Sequence, residues 1–338
     1  MQRLHQAGRA RVPAFVLSLA SLVLVLAACG GSASPGSSGS ASPATTTAGT
    51  VSPSGEATAA SFPLTLTDDD GVSVTFPSAP QRVVTFAPAN TEIMFALGLG
   101  SRVVGVSGSY DNYPPQAKSI PSVGGAGNFG VDPNIEKVVA LHPDLMLTTS
   151  GGDTWKARLR SLGITVFTIN ATGFDDLLHD IKTVGTISGA GRAADQLVSS
   201  MQAKAAEIQS KVAAEPKVSC FYEVYYPPLT TVGPNTFVFD LLQRAGCDPV
   251  TAGAKAPYPT WSLERLVSEN PQVYLLDSLS GATPGAVAKR HGYGALGAVK
   301  GGHVIVIDSD LVTRPGPRIV DGLEALAAAL HPEAFQGP

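Results

Sequence analysis

Residues 82–106 read RVVTFAPANTEIMFALGLGSRVVGV. The β-branched run from Arg82 to Phe86 predicts a strand, the segment from about Asn90 to Leu97 a helix closed by Gly98, and Val103 to Val106 a second strand. Strand, helix and strand in that order are the repeating unit of a parallel α/β sheet. The alternation continues with a helix from Asp132 to about Leu141, a strand from Leu145 to Thr148, a helix near Thr154 to Leu162 and a strand from Thr165 to Ile169. Upstream, Leu64 to Leu66 and Val72 to Phe76 alternate with period two across the turn Asp68-Asp69-Asp70-Gly71, the pattern of a hairpin.

After Ala171 the strand texture stops for about 45 residues. Leu197, Met201, Ala205, Ile208 and Val212 recur at helical spacing, which predicts one helix from Gly191 to Ala214, about 36 Å long at 1.5 Å per residue. From Lys217 the α/β pattern resumes. Strands are expected at Val218 to Tyr225, Gln272 to Asp277 and Val304 to Asp308, and helices at Phe237 to Ala245, Ser262 to Ser268 and Arg318 to Leu330. The expected fold is therefore α/β, with two similar lobes at 61–171 and 217–338 and a helical interlobe segment at 172–216.

A weak internal repeat supports two similar lobes. Ile135-Glu136-Lys137, with Pro143 seven residues after the glutamate, is echoed by Leu263-Glu264-Arg265 with Pro271 at the same distance. Asp132 and Thr260 are the expected N-caps of the two helices. At 100° per residue both glutamates fall opposite the apolar faces, so each is either one acid on a solvated surface or half of a symmetric pair of docking charges.

The chain has 338 residues, 44% hydrophobic and 15% charged, enough apolar stock for one large or two medium cores. Its formal charge is −4, and without Arg3, Arg9 and Arg11 the remainder stands near −7, which argues against a nucleic-acid partner. Those arginines precede the apolar run Ala14 to Ala28, shorter than the ~20 residues a membrane-spanning helix needs. The run ends in Leu26-Ala27-Ala28-Cys29, which resembles a bacterial lipobox, so residues 1–28 are expected to be a signal peptide and Cys29 a lipidated N-terminus. Residues 30–60 contain Glu56 as their one charge and no aromatic, the composition of a disordered Gly/Ser/Thr/Pro tether. The folded body is expected at the extracytoplasmic face of a bacterial membrane, as a monomer.

Enzymatic markers are sparse. Gly125 to Gly130 satisfies G-x-G-x-x-G, but Pro121 precedes it and the helix opens only after Asp132-Pro133, which fits a loop better than a dinucleotide turn. No P-loop or G-x-S-x-G pattern occurs, and no His has a second His or Cys at metal-ligand spacing. No resident cofactor or metal is expected. Cys220 and Cys247 of an exported chain are either a disulfide or two buried thiols. Proline-flanked aromatics, Tyr110 and Tyr113, Tyr225 and Tyr226, Tyr258 and Trp261, lie in expected loops, where they are placed to line a cleft.

The stretch from Arg82 through SYDNYPPQA to Ala117, with NIEKVVALHPDLML and LGITVF, resembles the N-terminal lobe of the class III solute-binding proteins of ABC importers, which carry cobalamin, ferric siderophores and haem. YxxYPP at Tyr110, YYPPLT at Tyr225, PYP with LERLV, and DxxxRxxPRI at Asp310 lean toward the cobalamin branch, and the likeness runs from about Arg82 to Leu330. The resemblance implies two lobes with parallel-rich central sheets joined by one long rigid helix, a ligand cleft between them, and delivery to a permease and its ATPase. It implies that Tyr110, Tyr258, Asp310 and Arg314 contact the ligand and that Glu136 and Glu264 meet permease arginines, and Phe129 and Trp261 are expected to line the same cleft. Where the branch has further large pocket aromatics this chain has Thr149, Leu229 and an insertion around Asn128 and Phe129. Cobalamin or another corrinoid is the expected ligand, with a ferric siderophore or haem as the alternative. A tetrapyrrole metal chelatase is the enzymatic rival, and it would need a base or ligand histidine in the cleft that the sequence does not offer.

Overall fold

The computed structural model describes residues 61–124 and 132–336. The leader, Cys29, the tether, and Asn128 and Phe129 lie outside the described residues.

An antiparallel hairpin, β1 (Leu64–Thr67) and β2 (Ser73–Phe76), precedes the first lobe. That lobe comprises β3 (Val83–Thr85), α1 (Pro88–Ala96), β4 (Val103–Val106), α2 (Ile135–Ala140), β5 (Leu145–Thr148), α3 (Asp153–Ser161) and β6 (Thr165–Thr168). Its sheet is wholly parallel, in the order β4-β3-β5-β6. Two helices follow, α4 (Phe174–Ile187) and α5 (Gly191–Val212). The second lobe comprises β7 (Val218–Tyr225), β8 (Thr230–Thr231), α6 (Phe237–Arg244), β9 (Cys247–Pro249), α7 (Leu263–Glu269), β10 (Val273–Asp277), α8 (Pro284–Ala288), α9 (Gly297–Lys300), β11 (Val304–Ile307), α10 (Ser309–Val312) and α11 (Ile319–Leu330). Its sheet runs β11-β10-β7-β8, with β9 also on β7, and β8 is antiparallel. Cys220 of β7 and Cys247 of β9 are joined by a disulfide, their Cα atoms 5.9 Å apart.

Strand periodicity decides how the cores are arranged. Side chains alternate across a strand, so Val83, Leu145, Leu147 and Phe167 turn inward while Val84, Met146 and Val166 form a smaller core on the other face. In the second lobe Tyr222 and Leu275 turn inward and Phe221, Tyr274 and Leu276 outward. The two inward faces belong to one continuous apolar cluster with α4, α5 and α11 between them. Helix α5 buries Ala194, Val198, Met201, Ala205, Ile208 and Val212, the larger of which are worth roughly 1.5–3 kcal/mol each.

Two expectations change. The interlobe segment holds a second helix, α4, which packs along α5 and carries Phe174, Leu177, Leu178, Ile181 and Val184 at helical spacing, with Asp180 the one charged side chain on its buried face. A Cβ on Gly185 would come within 2.4 Å of the Cβ of Ala194, so the close approach of the two helices requires glycine there. The N-caps of α2 and α7 are Asn134 and Ser262, whose side chains accept the Lys137 and Arg265 N–H groups, not Asp132 and Thr260. The internal symmetry survives, since each cap stands two residues before its glutamate.

With a shared core rather than two or three crossover strands between the lobes, hinge closure has to break apolar packing. Small-angle scattering with and without ligand is therefore expected to give nearly the same radius of gyration. A contraction of several ångströms would contradict it.

Candidate functional site

The carboxyl ends of β3, β5 and β6 face the segment that follows β11, the topological place where open α/β sheets hold ligands. A polar clamp closes this junction. Glu92 of α1, 3% exposed, accepts from Arg318 Nε and Nη2 at 2.9 and 2.6 Å, and Arg314 Nη1 lies 3.7 Å from the same carboxylate. Arg314 Nη1 donates to Asn112 Oδ1 at 2.8 Å and its Nη2 to Asp310 Oδ1 at 2.5 Å, while Asn112 Nδ2 donates to Asp310 Oδ2 at 3.1 Å. Arg318 stacks 4.0 Å over the Tyr113 ring. Bonds with Glu92 raise the Arg318 guanidinium above its ordinary pKa, so it stays charged.

Asp310 and Arg314, expected on the ligand by resemblance, are thus brought together and also tied across the lobes through Asn112. Tyr110 is half-buried in the loop after β4, and Tyr258 is 60% exposed in the loop before α7. Trp261 is placed differently from expectation. It is 5% exposed, packs in the outer core with Phe221, is covered by Arg265 at 3.7 Å and donates its indole N–H to Glu269 at 2.9 Å. Its ring lies between apolar neighbours and the Arg265 guanidinium and its one polar atom is satisfied by Glu269, so it supports the loop rather than lining the cleft. Glu136 and Glu264 are both exposed, each in the first turn of its helix.

Sequence reading missed the supports beneath these loops. Glu223 of β7, fully buried, accepts from Arg290 Nη1 and Nη2 at 2.5 and 2.8 Å and from the Tyr274 hydroxyl. Burial and the adjoining Glu223 carboxylate push the Tyr274 hydroxyl far above its ordinary pKa, so it remains a donor. The fixed guanidinium lies 3.9 Å over Tyr226, which leaves the β7 carboxyl end with a held, part-exposed ring. On the other lobe the acidic turn docks at the carboxyl edge. Lys156, 1% exposed, donates to Asp70 at 2.6 Å, the Thr149 carbonyl at 2.7 Å and Thr168 Oγ1 at 3.0 Å. No sequence period marks such contacts, because their partners lie 7 to 86 residues apart. Among the described residues no group of three His, Cys, Asp or Glu side chains could hold a metal ion, and no helix is long and apolar enough to cross a membrane.

A family model described as periplasmic binding protein matches residues 83–311. A Bacillus subtilis protein named an uncharacterized ABC transporter substrate-binding lipoprotein, YvrC, is 36% identical over 285 residues, covering 81% of this chain and 88% of its own length. The cobalamin-binding protein of Halobacterium salinarum is 33% identical over 285 residues, covering 81% and 75%. Among solved structures, the ABC-type Fe3+-hydroxamate transport system protein of Saccharomonospora viridis superposes with a TM-score of 0.66 at 28% identity, covering 82% of this chain and all of that one.

Proposed function

This chain belongs to the periplasmic binding protein family, and from that membership we propose that it captures cobalamin or a related corrinoid in the interlobe cleft and delivers it to a membrane permease. Its relatives make it a substrate-binding protein of an ABC transporter and not an enzyme. The observation that carries the ligand assignment is electrostatic. Arg314 and Arg318, the guanidiniums of the clamp, are both committed to carboxylates. An anionic siderophore or a haem with its carboxylates would need cations left unneutralised, whereas a corrinoid presents apolar faces and a rim of amides. Tyr110, Tyr226 and Tyr258 supply aromatic surface for those faces, and Asp310 and Arg314 polar groups for the rim. The hydroxamate reading has its own support in the likeness to the Saccharomonospora protein, and hydroxamates carry less negative charge.

Titration calorimetry with cyanocobalamin, cobinamide, haem and a ferric hydroxamate separates these readings. Submicromolar binding of a corrinoid is expected, weakened by Tyr258→Ala or Asp310→Ala. Tight binding of the hydroxamate with no corrinoid bound would overturn the assignment.

The same proposal places the body on the outer face of the cell membrane through an acylated Cys29. Buried acyl methylenes contribute ~0.8 kcal/mol each, so two or three chains suffice for stable anchoring. Cys29→Ala is expected to release a folded protein from the membrane fraction. Mass spectrometry that finds the mature wild-type N-terminus unmodified, or at another residue, would refute the anchor.

A further inference from the structure

The outer layer of the second lobe is apolar and aromatic, built on Phe221, Tyr274, Leu276, Val287 and Tyr293, yet β7 sets a carboxylate against it. Glu223, 0% exposed, accepts from the Tyr274 hydroxyl and, at 2.5 and 2.8 Å, from the two Nη groups of Arg290, just beyond α8. An apolar pair of similar volume would serve the fold as well, because desolvation cancels most of the Coulombic gain of a buried ion pair. A role other than stability is therefore the better account of these two charges.

What the pair fixes is the plane of the guanidinium. One carboxylate engages both Nη groups, which leaves the flat faces for stacking. The guanidinium carbon lies 3.9 Å from the centroid of the Tyr226 ring, and Tyr293, 2% exposed, meets the same ring edge to face at 6.0 Å. Tyr226 is thus held from two sides, on one of them by a group that cannot move without stripping Glu223 of its cation. Its own surface nevertheless stays 40% exposed.

The fold sets that exposed ring beside the expected ligand residues. Tyr226 directly follows β7, which runs parallel to β10 as β10 does to β11, so it stands at the carboxyl edge from which Asp310 and Arg314 also project. Backbone N–H groups of Trp261, Thr231 and Gly233 donate to the carbonyls of Leu229, Pro259 and Pro257 at 2.9, 3.1 and 2.7 Å, which lays the chain after Tyr226 alongside the loop that carries Tyr258. Bonds of Asn112 to Asp310 and Arg314 bring the carboxyl edge of the first lobe against this one.

We propose that Arg290, locked by the buried Glu223, is a positioning residue for ligand binding, which holds the Tyr226 ring as a pre-oriented wall of the cleft. A ring already fixed meets a ligand without first losing rotamer freedom, and that saving appears as affinity. The inference rests on the corrinoid reading and deepens it, since it makes a buried ion pair a determinant of affinity through a third side chain.

The test is a double-mutant cycle on the full chain, read by titration calorimetry with cyanocobalamin. Arg290→Met combined with Glu223→Gln removes both charges together, so that neither is left buried alone, and is expected to weaken binding about fivefold, the size set by ordering one side chain. Tyr226→Ala is expected to weaken it about tenfold, and Tyr226→Phe, which keeps the ring, by less than about twofold. In the Tyr226→Ala background the charge removal is expected to change affinity by less than about twofold, because no ring is left to hold. Arg290→Lys keeps Glu223 paired and loses only the planar face, and the same dependence on Tyr226 is expected there at about threefold. Thermal melts check that each variant is folded. A pair that served only the fold would lower the melting midpoint and change affinity by the same factor in both backgrounds. Equal weakening with and without the Tyr226 ring, or no weakening in either background, would overturn the positioning role and leave the corrinoid assignment standing. Binding of no corrinoid by the folded wild type would overturn both.

Discussion

Replacing Glu92 with alanine is expected to cost on the order of 3–5 kcal/mol of stability, because it strips Arg318 of the carboxylate that accepts both of its bonds and removes one of the two acids beside Arg314 at the lobe junction. The carboxylate is 3% exposed and Arg314 is 8% exposed, so solvent does little to screen the loss. For a body of this size that corresponds to a fall of roughly 10 °C in melting midpoint. Lys204, which reaches Asp321 at 2.5 Å and Glu324 at 3.2 Å, is the contrasting case. All three side chains are more than a third exposed, and Lys204→Ala should cost at most about 1 kcal/mol. Thermal melts of the two variants check both values. If Glu92→Ala melts within a degree of the wild type, the clamp does not hold the lobes together.

The double substitution Glu136→Arg with Glu264→Arg is expected to reduce uptake to background while leaving ligand affinity nearly unchanged. Both carboxylates are exposed, neither makes an ion pair among the described residues, and each is held in the first turn of a capped helix at matching places in two lobes. Charge complementarity with a membrane partner governs encounter and register, and reversing the charge converts attraction into a like-charge contact costing several kcal/mol. The cost to folding is far smaller, about 0.3–1 kcal/mol for each acid lost from a helix start. Uptake assays in cells and calorimetry on the purified protein separate the two effects. Loss of ligand binding in the folded variant would assign these residues to the pocket instead.

Sequence alone was sufficient for the α/β architecture. Val103 to Val106, Leu145 to Thr148 and Val218 to Tyr225 are strands at the expected bounds, because short, largely apolar runs bounded by turn residues suit a sheet covered on both faces. Helix α5 was legible from its five apolar positions, and the exposure of Glu136 and Glu264 from the 100° rotation per residue that also sets the helix core face. These features repeat within a few residues, and local periodicity carries them. Tertiary structure decided what depends on distance through space. Trp261 looked like a loop aromatic and is a core residue because Phe221, Arg265 and Glu269 converge on it. Arg314 looked like a ligand donor and also joins the two lobes, since Asn112 lies 202 residues away in sequence and 2.8 Å away in space. Glu223 under Arg290 and Lys156 under the acidic turn follow the same rule. Each joins a cation, a carboxylate or an amide to partners from a different element, and only the packing of the elements determines whether such a group is paired, buried or left to meet a ligand.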